Sequence, residues 1–179
     1  MGRLGAIACV LLTLPMLGDE TTKEHSAPLI AVRIVPSTFR DKIGRAIELH
    51  NSTRHFYVIV TNTSGEPVRL WREWCSWGYF NLSFVVTDEG GKTVSVKKRP
   101  RGWDKNFRDW SIVPPGGHMV FEVSFDEAIW QNAPLPDRGR SRAIKMKAVY
   151  EVPADDDTKE FGVWNGRISS PEETYTVYR

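Results

Sequence analysis

A strict alternation of apolar and polar residues is the feature that most constrains how this chain folds. Apolar side chains take every second position in the segments 144–152 and 119–125, with Lys145, Lys147 and Glu122 among the polar residues between them. Successive side chains of a strand point to opposite faces of a sheet. A period of two therefore predicts strands with one buried face, and an all-β protein.

The same alternation recurs along the chain, at residues 30–34, 47–50, 56–60, 68–72, 82–86, 94–96, 163–168 and 174–178. Turn sequences separate the segments, among them Asn62-Thr63-Ser64-Gly65, Asp88-Glu89-Gly90-Gly91 and Pro114-Pro115-Gly116-Gly117. About nine or ten short strands at this spacing predict an immunoglobulin-like sandwich of two antiparallel sheets. An α/β fold would need long amphipathic helices between the strands, and only a turn or two around 126–131 is predicted.

The first residues differ in character from the rest. Residues 4–17 form an almost uncharged apolar run between Arg3 and Asp19. The run is shorter than the roughly 20 residues that a helix needs to span a bilayer, and it is typical of a secretory signal. The predicted organisation is a signal peptide at 1–18, a linker at 19–26 and a sandwich domain at 27–179. The mature protein is expected to be secreted or periplasmic, with no membrane span.

The two cysteines, Cys9 and Cys75, lie in segments of different character. Cys9 follows Ala6-Ile7-Ala8 as in a lipoprotein signal, which leaves a lipid anchor on Cys9 as an alternative location. Cleavage after the apolar run would leave Cys75 alone, and one cysteine cannot form an intramolecular disulfide. Between Trp74 and Ser76, Cys75 is predicted to be a buried structural thiol.

The turn and core motifs resemble those of known modules. Three segments resemble strands and turns of bacterial immunoglobulin-like modules. They are the sequence from Tyr57 to Val68, the Pro-Pro-Gly-Gly turn before Met119, and Lys147-Ala148-Val149-Tyr150. The ending from Gly162 to Ser170 resembles one found in uncharacterised exported bacterial proteins. A more distant resemblance is to the bacterial intracellular proteinase-inhibitor sandwich. These likenesses imply the fold and carry over no functional residue.

No combination of residues predicts catalysis or metal binding. The four histidines, His25, His50, His55 and His118, lack metal-ligand spacing. The run Asp155-Asp156-Asp157 lacks the rest of a calcium loop, so a solvated turn is expected. The chain is therefore predicted not to be an enzyme, with no cofactor. Its formal net charge of +2 also argues against nucleic acid as a partner.

Three of the seven tryptophans, Trp71, Trp74 and Trp77, fall close together. In a strand, Trp71 and Trp77 would share one face and Trp74 would lie on the other. Two interpretations remain open. The rings form a platform for a sugar or an apolar partner, or they fill the core of a sandwich that has no disulfide.

The segment 97–110 is irregular in the strand pattern and combines basic and aromatic residues. Such residues together bind anionic polymers, because charge attracts at a distance and rings stack at contact. The alternative is that the rings anchor the loop while the cations keep it soluble. The predicted ligand-binding residues are Lys97, Lys98, Arg99, Arg101, Trp103, Phe107 and Trp110.

The predicted function is that of an exported, non-catalytic binding or structural-interaction module, expected to be monomeric. Its partner is expected to be a protein or an envelope polysaccharide. The alternative is a proteinase inhibitor that presents a loop from a β-sandwich.

Overall fold

The computed structural model of the protein describes residues 29–40, 44–49 and 55–179. The predicted signal peptide (1–18), the linker (19–26), Cys9, His25 and His50 lie outside these residues. The described residues form thirteen strands and two short helices. These are β1 (Ile30–Val35), β2 (Thr38–Arg40), β3 (Gly44–Glu48), β4 (Phe56–Asn62), β5 (Val68–Trp71), α1 (Ser76–Tyr79), β6 (Leu82–Asp88), β7 (Thr93–Lys98), β8 (Trp110–Val113), β9 (His118–Val123), β10 (Trp130–Gln131), β11 (Ser141–Val152), α2 (Asp156–Phe161), β12 (Gly166–Ser169) and β13 (Glu173–Tyr178).

One layer of the structure is built around β4. Strands β1 and β9 pair with its two edges in antiparallel fashion. Beyond the turns that end β4 and precede β9, strands β5 and β8 pair in the same antiparallel sense, from Val68 opposite Val113 to Trp71 opposite Trp110. Strand β5 follows β4 in the chain, and β8 precedes β9. The β5–β8 ribbon is therefore a continuation of the β4–β9 ribbon.

The other layer is a large sheet with the strand order β10-β7-β6-β11-β13-β3-β2. Its central strand is β11, which has β6 on one edge and shares its other edge between β13 and β12. All pairs are antiparallel except β13–β3, which is parallel. The predicted antiparallel arrangement is therefore correct except at this pair. Because β3 and β13 come from distant parts of the chain, no hairpin dictates their relative direction.

The core lies between the layers, as the alternation predicted. Phe56 of β4 meets Phe84 of β6 with ring centres 5.7 Å apart, and Phe121 of β9 meets Tyr150 of β11 at the same separation. Phe125 packs 4.9 Å from Phe56. All five rings are at most 2% exposed. The all-β sandwich is confirmed, since antiparallel sheets bury their apolar faces against each other.

Two predictions about local structure are wrong. The segment 97–110 is irregular only from 99 to 109, because its ends belong to β7 and β8. Asp155 caps the N-terminus of α2, which begins at Asp156, where a solvated turn was predicted. Its side chain accepts a hydrogen bond from the Thr158 backbone at 2.8 Å, and the Thr158 hydroxyl bonds back in a capping box. Aspartate is favoured here because it satisfies backbone N–H groups that the first turn leaves free.

A buried asparagine joins the β4–β9 ribbon to the β5–β8 ribbon. Asn62 is fully buried, and its Nδ2 donates to the carbonyl oxygens of Glu66 at 2.7 Å and Val113 at 2.9 Å. Its Oδ1 accepts from the Ser64 backbone N–H at 2.9 Å and from the Ser64 hydroxyl at 2.7 Å. The turns interrupt the backbone hydrogen bonds between the strands, and the Asn62 side chain supplies hydrogen bonds in their place. Both polar atoms of this buried amide therefore have partners, as is usual for buried polar groups.

Replacing Asn62 with alanine is expected to lower the free energy of unfolding by about 2 kcal/mol, because the buried Val113 carbonyl would lose its side-chain donor. Chemical denaturation measures this. Ser64→Ala serves as the control, since it removes only a hydroxyl at a partly exposed turn and should cost under about 1 kcal/mol. Equal losses in the two variants would contradict a joining role for Asn62.

Candidate functional site

The predicted ligand-binding segment packs beside α1. Lys97 and Lys98 end β7, and Trp110 begins β8, so each of these three residues has a strand-determined orientation. Arg108 connects the segment to both helices. Its Nε donates to Asp157 Oδ1 at 2.7 Å, while Trp77 Nε1 of α1 donates to the other carboxylate oxygen at 2.6 Å. These hydrogen bonds lower the pKa of Asp157 and fix the segment against α1 and α2.

Lys98 faces inward and is not part of the surface. Its side chain is 2% exposed, and its Nζ forms an ion pair with Glu73. The ammonium lies 4.6 Å from the centre of the Tyr79 ring and 5.5 Å from that of Trp130. Burial lowers the pKa of Lys98, and the Glu73 carboxylate opposes this shift. Lys98 is therefore enclosed by Glu73, Tyr79 and Trp130 and is not available to a ligand at the surface.

Trp110 and Arg99 also have structural contacts. Trp110 packs with its ring centre 6.1 Å from Trp71 and 5.1 Å from Phe161, which places it between β5 and α2. Arg99 is exposed, and its Nε donates to the Glu127 carbonyl oxygen at 2.8 Å. Both residues attach the ends of the segment to the sandwich. The anchoring interpretation expected this of the Trp110 ring but not of the Arg99 cation.

Arg101 is held between aromatic rings. Its guanidinium carbon lies 4.0 Å from the centre of the Trp103 ring and 4.8 Å from that of Tyr79. One guanidinium N–H contacts the Trp74 carbonyl oxygen at 3.4 Å. Guanidinium stacking of this kind restricts the side chain but leaves N–H donors at its edge. Arg101 is thus an exposed cation in a defined position.

Trp74 and Phe107 form an exposed aromatic pair beside Arg101. Their ring centres are 4.9 Å apart, and the side chains are 40% and 58% exposed. The Trp74 indole N–H donates to Asp109 Oδ2 at 2.9 Å, which sets the ring orientation. Together they border a hollow of about 700 Å³, named here the Trp74 hollow and lined by Trp74, Arg101, Gly102, Trp103, Asp104, Lys105 and Phe107.

The structure therefore divides the seven predicted residues. Arg101, Trp103 and Phe107 meet at the Trp74 hollow. Lys98, Arg99 and Trp110 anchor the segment. Lys97 lines a different cleft of about 530 Å³, named here the Phe80 cleft; its lining is Trp71, Ser76, Trp77, Phe80, Asn81, Ser83, Lys97, Lys98, Glu151, Pro153 and Asp155.

The predicted ligand-binding residues omit the contributions of α1 and its flanks, although the aromatic-platform interpretation did name Trp71, Trp74 and Trp77. Trp74 precedes α1, Tyr79 ends it and Phe80 follows it. Of the tryptophan group, Trp71 is 1% exposed in the core and contacts Trp77 at 6.2 Å, so these two fill space. Trp74 is the exposed member. The Ser76–Tyr79 helix is too short to show a helical period, so no pattern predicted it.

The remaining candidates have structural partners. Cys75 is buried, as predicted, and its thiol donates to the Arg72 carbonyl oxygen at 3.1 Å. His55 Nδ1 lies 2.6 Å from Glu122 Oε1, and His118 Nδ1 lies 3.0 Å from the Thr61 hydroxyl. Within residues 29–40, 44–49 and 55–179, no three His, Cys, Asp or Glu side chains are grouped closely enough to hold a metal ion.

A scan against models of known protein families found no match, and searches against curated proteins and against solved structures found none either. In the described part of the chain, neither helix is long and apolar enough to cross a membrane.

Proposed function

We propose that this chain is an exported, non-catalytic binding module of immunoglobulin-like type, and that its Trp74 hollow binds an acidic polysaccharide. Export rests on the apolar run at 4–17, which is typical of a secretory signal. The observation that carries the binding proposal is the stacked Arg101 beside the exposed Trp74–Phe107 pair.

The chemistry of the hollow suits a chain of acidic sugars. A planar guanidinium matches a carboxylate through two parallel hydrogen bonds, and aromatic rings cover the apolar faces of sugar rings. Arg101 and Lys105 outnumber Asp104 among the charged residues of the lining. Because Trp103 and Tyr79 already restrict Arg101, a ligand has less side-chain motion to suppress on binding.

The test is titration with polygalacturonate at low salt. The double variant Trp74→Ala/Phe107→Ala and the single variant Arg101→Gln are each expected to bind at least about tenfold more weakly, a loss of about 1.4 kcal/mol. Affinity should fall as salt rises, because exposed charges are screened. Circular dichroism checks that each variant is folded.

Matched controls use exposed residues outside the hollow. Ile112→Ala removes an apolar side chain that is 63% exposed, and Arg142→Gln removes an exposed cation of β11. Both should bind as the wild type does. The proposal fails if polygalacturonate does not bind, if the hollow and control variants bind equally, or if only acidic proteins bind.

A further inference from the structure

Strand β9 forms an open edge of the sandwich. It pairs with β4 on one side, and no described strand pairs with it on the other. The opposite edge strand of the same sheet, β1, lies close to β11 and β12, and the edge strands of the large sheet, β2 and β10, have only three and two residues. Proteins protect long edges with lysine, proline or a bulge, because an open edge recruits another strand. The six residues of β9 include neither lysine nor proline, and its register with β4 is continuous.

The backbone of β9 directs every second residue to the open edge. The Asn62 N–H donates to the Gly117 carbonyl oxygen at 3.0 Å, which fixes the phase of the antiparallel β4–β9 pairing. Hydrogen-bonded and non-hydrogen-bonded residue pairs alternate along such a pairing. The residues whose N–H and C=O groups point away from β4 are therefore His118, Val120 and Glu122.

The side chains of these three residues form a self-complementary row. Val120 is 56% exposed, with His118 two residues before it and Glu122 two residues after it. When two copies of β9 pair in antiparallel fashion about a two-fold axis at Val120, each His118 lies opposite the partner's Glu122. Complementary pairs on facing strands stabilise a sheet, and a two-fold interface makes each such contact twice.

His118 and Glu122 each have an atom available for this contact. His118 Nδ1 lies 3.0 Å from the Thr61 hydroxyl, and Glu122 Oε1 lies 2.6 Å from His55 Nδ1. These contacts occupy one ring nitrogen and one carboxylate oxygen. When the Thr61 hydroxyl donates to Nδ1, the proton of the ring is on Nε2, which can donate to the carboxylate of the partner's Glu122.

We propose that the open edge of β9 is the interface of a symmetric dimer of this chain, with its two-fold axis at Val120. The β1-β4-β9 sheets of the two protomers join into one sheet of six strands, three from each protomer. Ile59 of β4 lies beside Val120, so an apolar strip meets its own copy at the centre, between the two His118–Glu122 pairs. The dimer differs from the monomer expected from the sequence, and its interface does not include the Trp74 hollow.

The experiment is sedimentation equilibrium of the purified protein at concentrations up to about 0.5 mM, since a short strand pair buries a small area and associates weakly. The wild type should show a monomer–dimer equilibrium. Amide hydrogen exchange followed by NMR should show the N–H groups of His118, Val120 and Glu122 more protected at high protein concentration than at low concentration.

Val120→Pro tests the edge. It removes an N–H group that points away from β4, and proline is tolerated at such a position of an edge strand, so circular dichroism should show a folded protein. The dimer should be weakened at least about tenfold. Val120→Thr keeps the N–H group and the branched shape, and Ile112→Ala changes an exposed residue of β8. Both controls should dimerise within about threefold of the wild type.

Exchange of the two polar residues tests the register. His118→Asp places two carboxylates opposite each other, and Glu122→Lys removes the acceptor, so each variant should weaken the dimer at least about fivefold. The double variant His118→Asp/Glu122→Lys restores opposite charges across the axis and should restore dimerisation. The two positions are four residues apart on one strand, too far to compensate within one protomer.

The proposal is overturned if the wild type stays monomeric, if Val120→Pro dimerises as tightly as the wild type, or if the double variant dimerises no better than the single variants. A monomeric wild type whose β9 amide signals shift only with an extended peptide of unrelated sequence would assign the edge to another partner and would overturn it as well.

Discussion

Replacing Phe121 with alanine is expected to lower the free energy of unfolding by about 3–5 kcal/mol, the largest effect of a single substitution that we predict. The ring is 2% exposed and packs against Tyr150 across the two layers, with ring centres 5.7 Å apart. The loss is the sum of two free energies. One is the hydrophobic free energy of burying the removed ring atoms, and the other is the cost of the cavity that remains in a close-packed core. Urea denaturation monitored by circular dichroism measures it.

Two variants test whether burial is the cause. Lys145 lies on β11 with an exposed side chain, and Lys145→Ala should cost well under 1 kcal/mol. Tyr150→Phe keeps the buried ring and removes only the hydroxyl beside Asn81, so it should cost at most about 1.5 kcal/mol. Similar losses for Phe121→Ala and Lys145→Ala would mean that the assigned strand faces are wrong.

The second large effect is expected for Glu73→Gln, which leaves the Lys98 ammonium without its counter-charge. The Lys98 side chain is 2% exposed, so water cannot replace the lost carboxylate. We expect a loss of about 3 kcal/mol at pH 7, at the lower end of the range for breaking a buried pair because Glu73 is itself 39% exposed. Glu89→Gln, at an exposed turn, is the matched control and should have almost no effect.

The pH dependence identifies Lys98 as the cause. The pKa of Lys98 is lowered in the folded protein, so between that pKa and the unfolded value of 10.5 the unfolded chain binds more protons. Stability contributed by Lys98 therefore rises with pH through this window. In Glu73→Gln the folded pKa falls further, because Glu73 raises it. The stability difference between Glu73→Gln and wild type should thus shrink as the pH rises from the folded pKa of the variant towards 10.5, and a difference that stays constant up to pH 10.5 would exclude Lys98 as its origin.

The alternation of residues predicted most of the longer strands and their buried faces, but about nine or ten strands were expected and the thirteen observed include the unpredicted short strands β2 and β10. Phe121, Tyr150 and Met146 are buried where the period of two placed them, and the Pro-Pro-Gly-Gly turn separates β8 from β9. The same period, extended from Val94 through Val96, also places Lys98 on the inward face. Its charge favoured a surface position instead, which shows that a strand pattern can outweigh the polarity of one residue when an ion pair is present.

The candidate site could be predicted only in part. Arg101, Trp103 and Phe107 were recognised because their basic and aromatic chemistry lies within one short segment. Trp74 and Tyr79 were not assigned to that site, since they are more than twenty residues away in the sequence and are brought to Arg101 by the packing of α1.

What the sequence by itself determined is therefore local: an all-β chain, the faces of its strands and the positions of its main turns. The tertiary structure alone decided which strands pair, including the parallel β13–β3 pair, and which tryptophan is exposed. The physical reason is that alternation specifies whether a side chain is buried, whereas strand neighbours and loop contacts depend on packing between segments distant in the sequence.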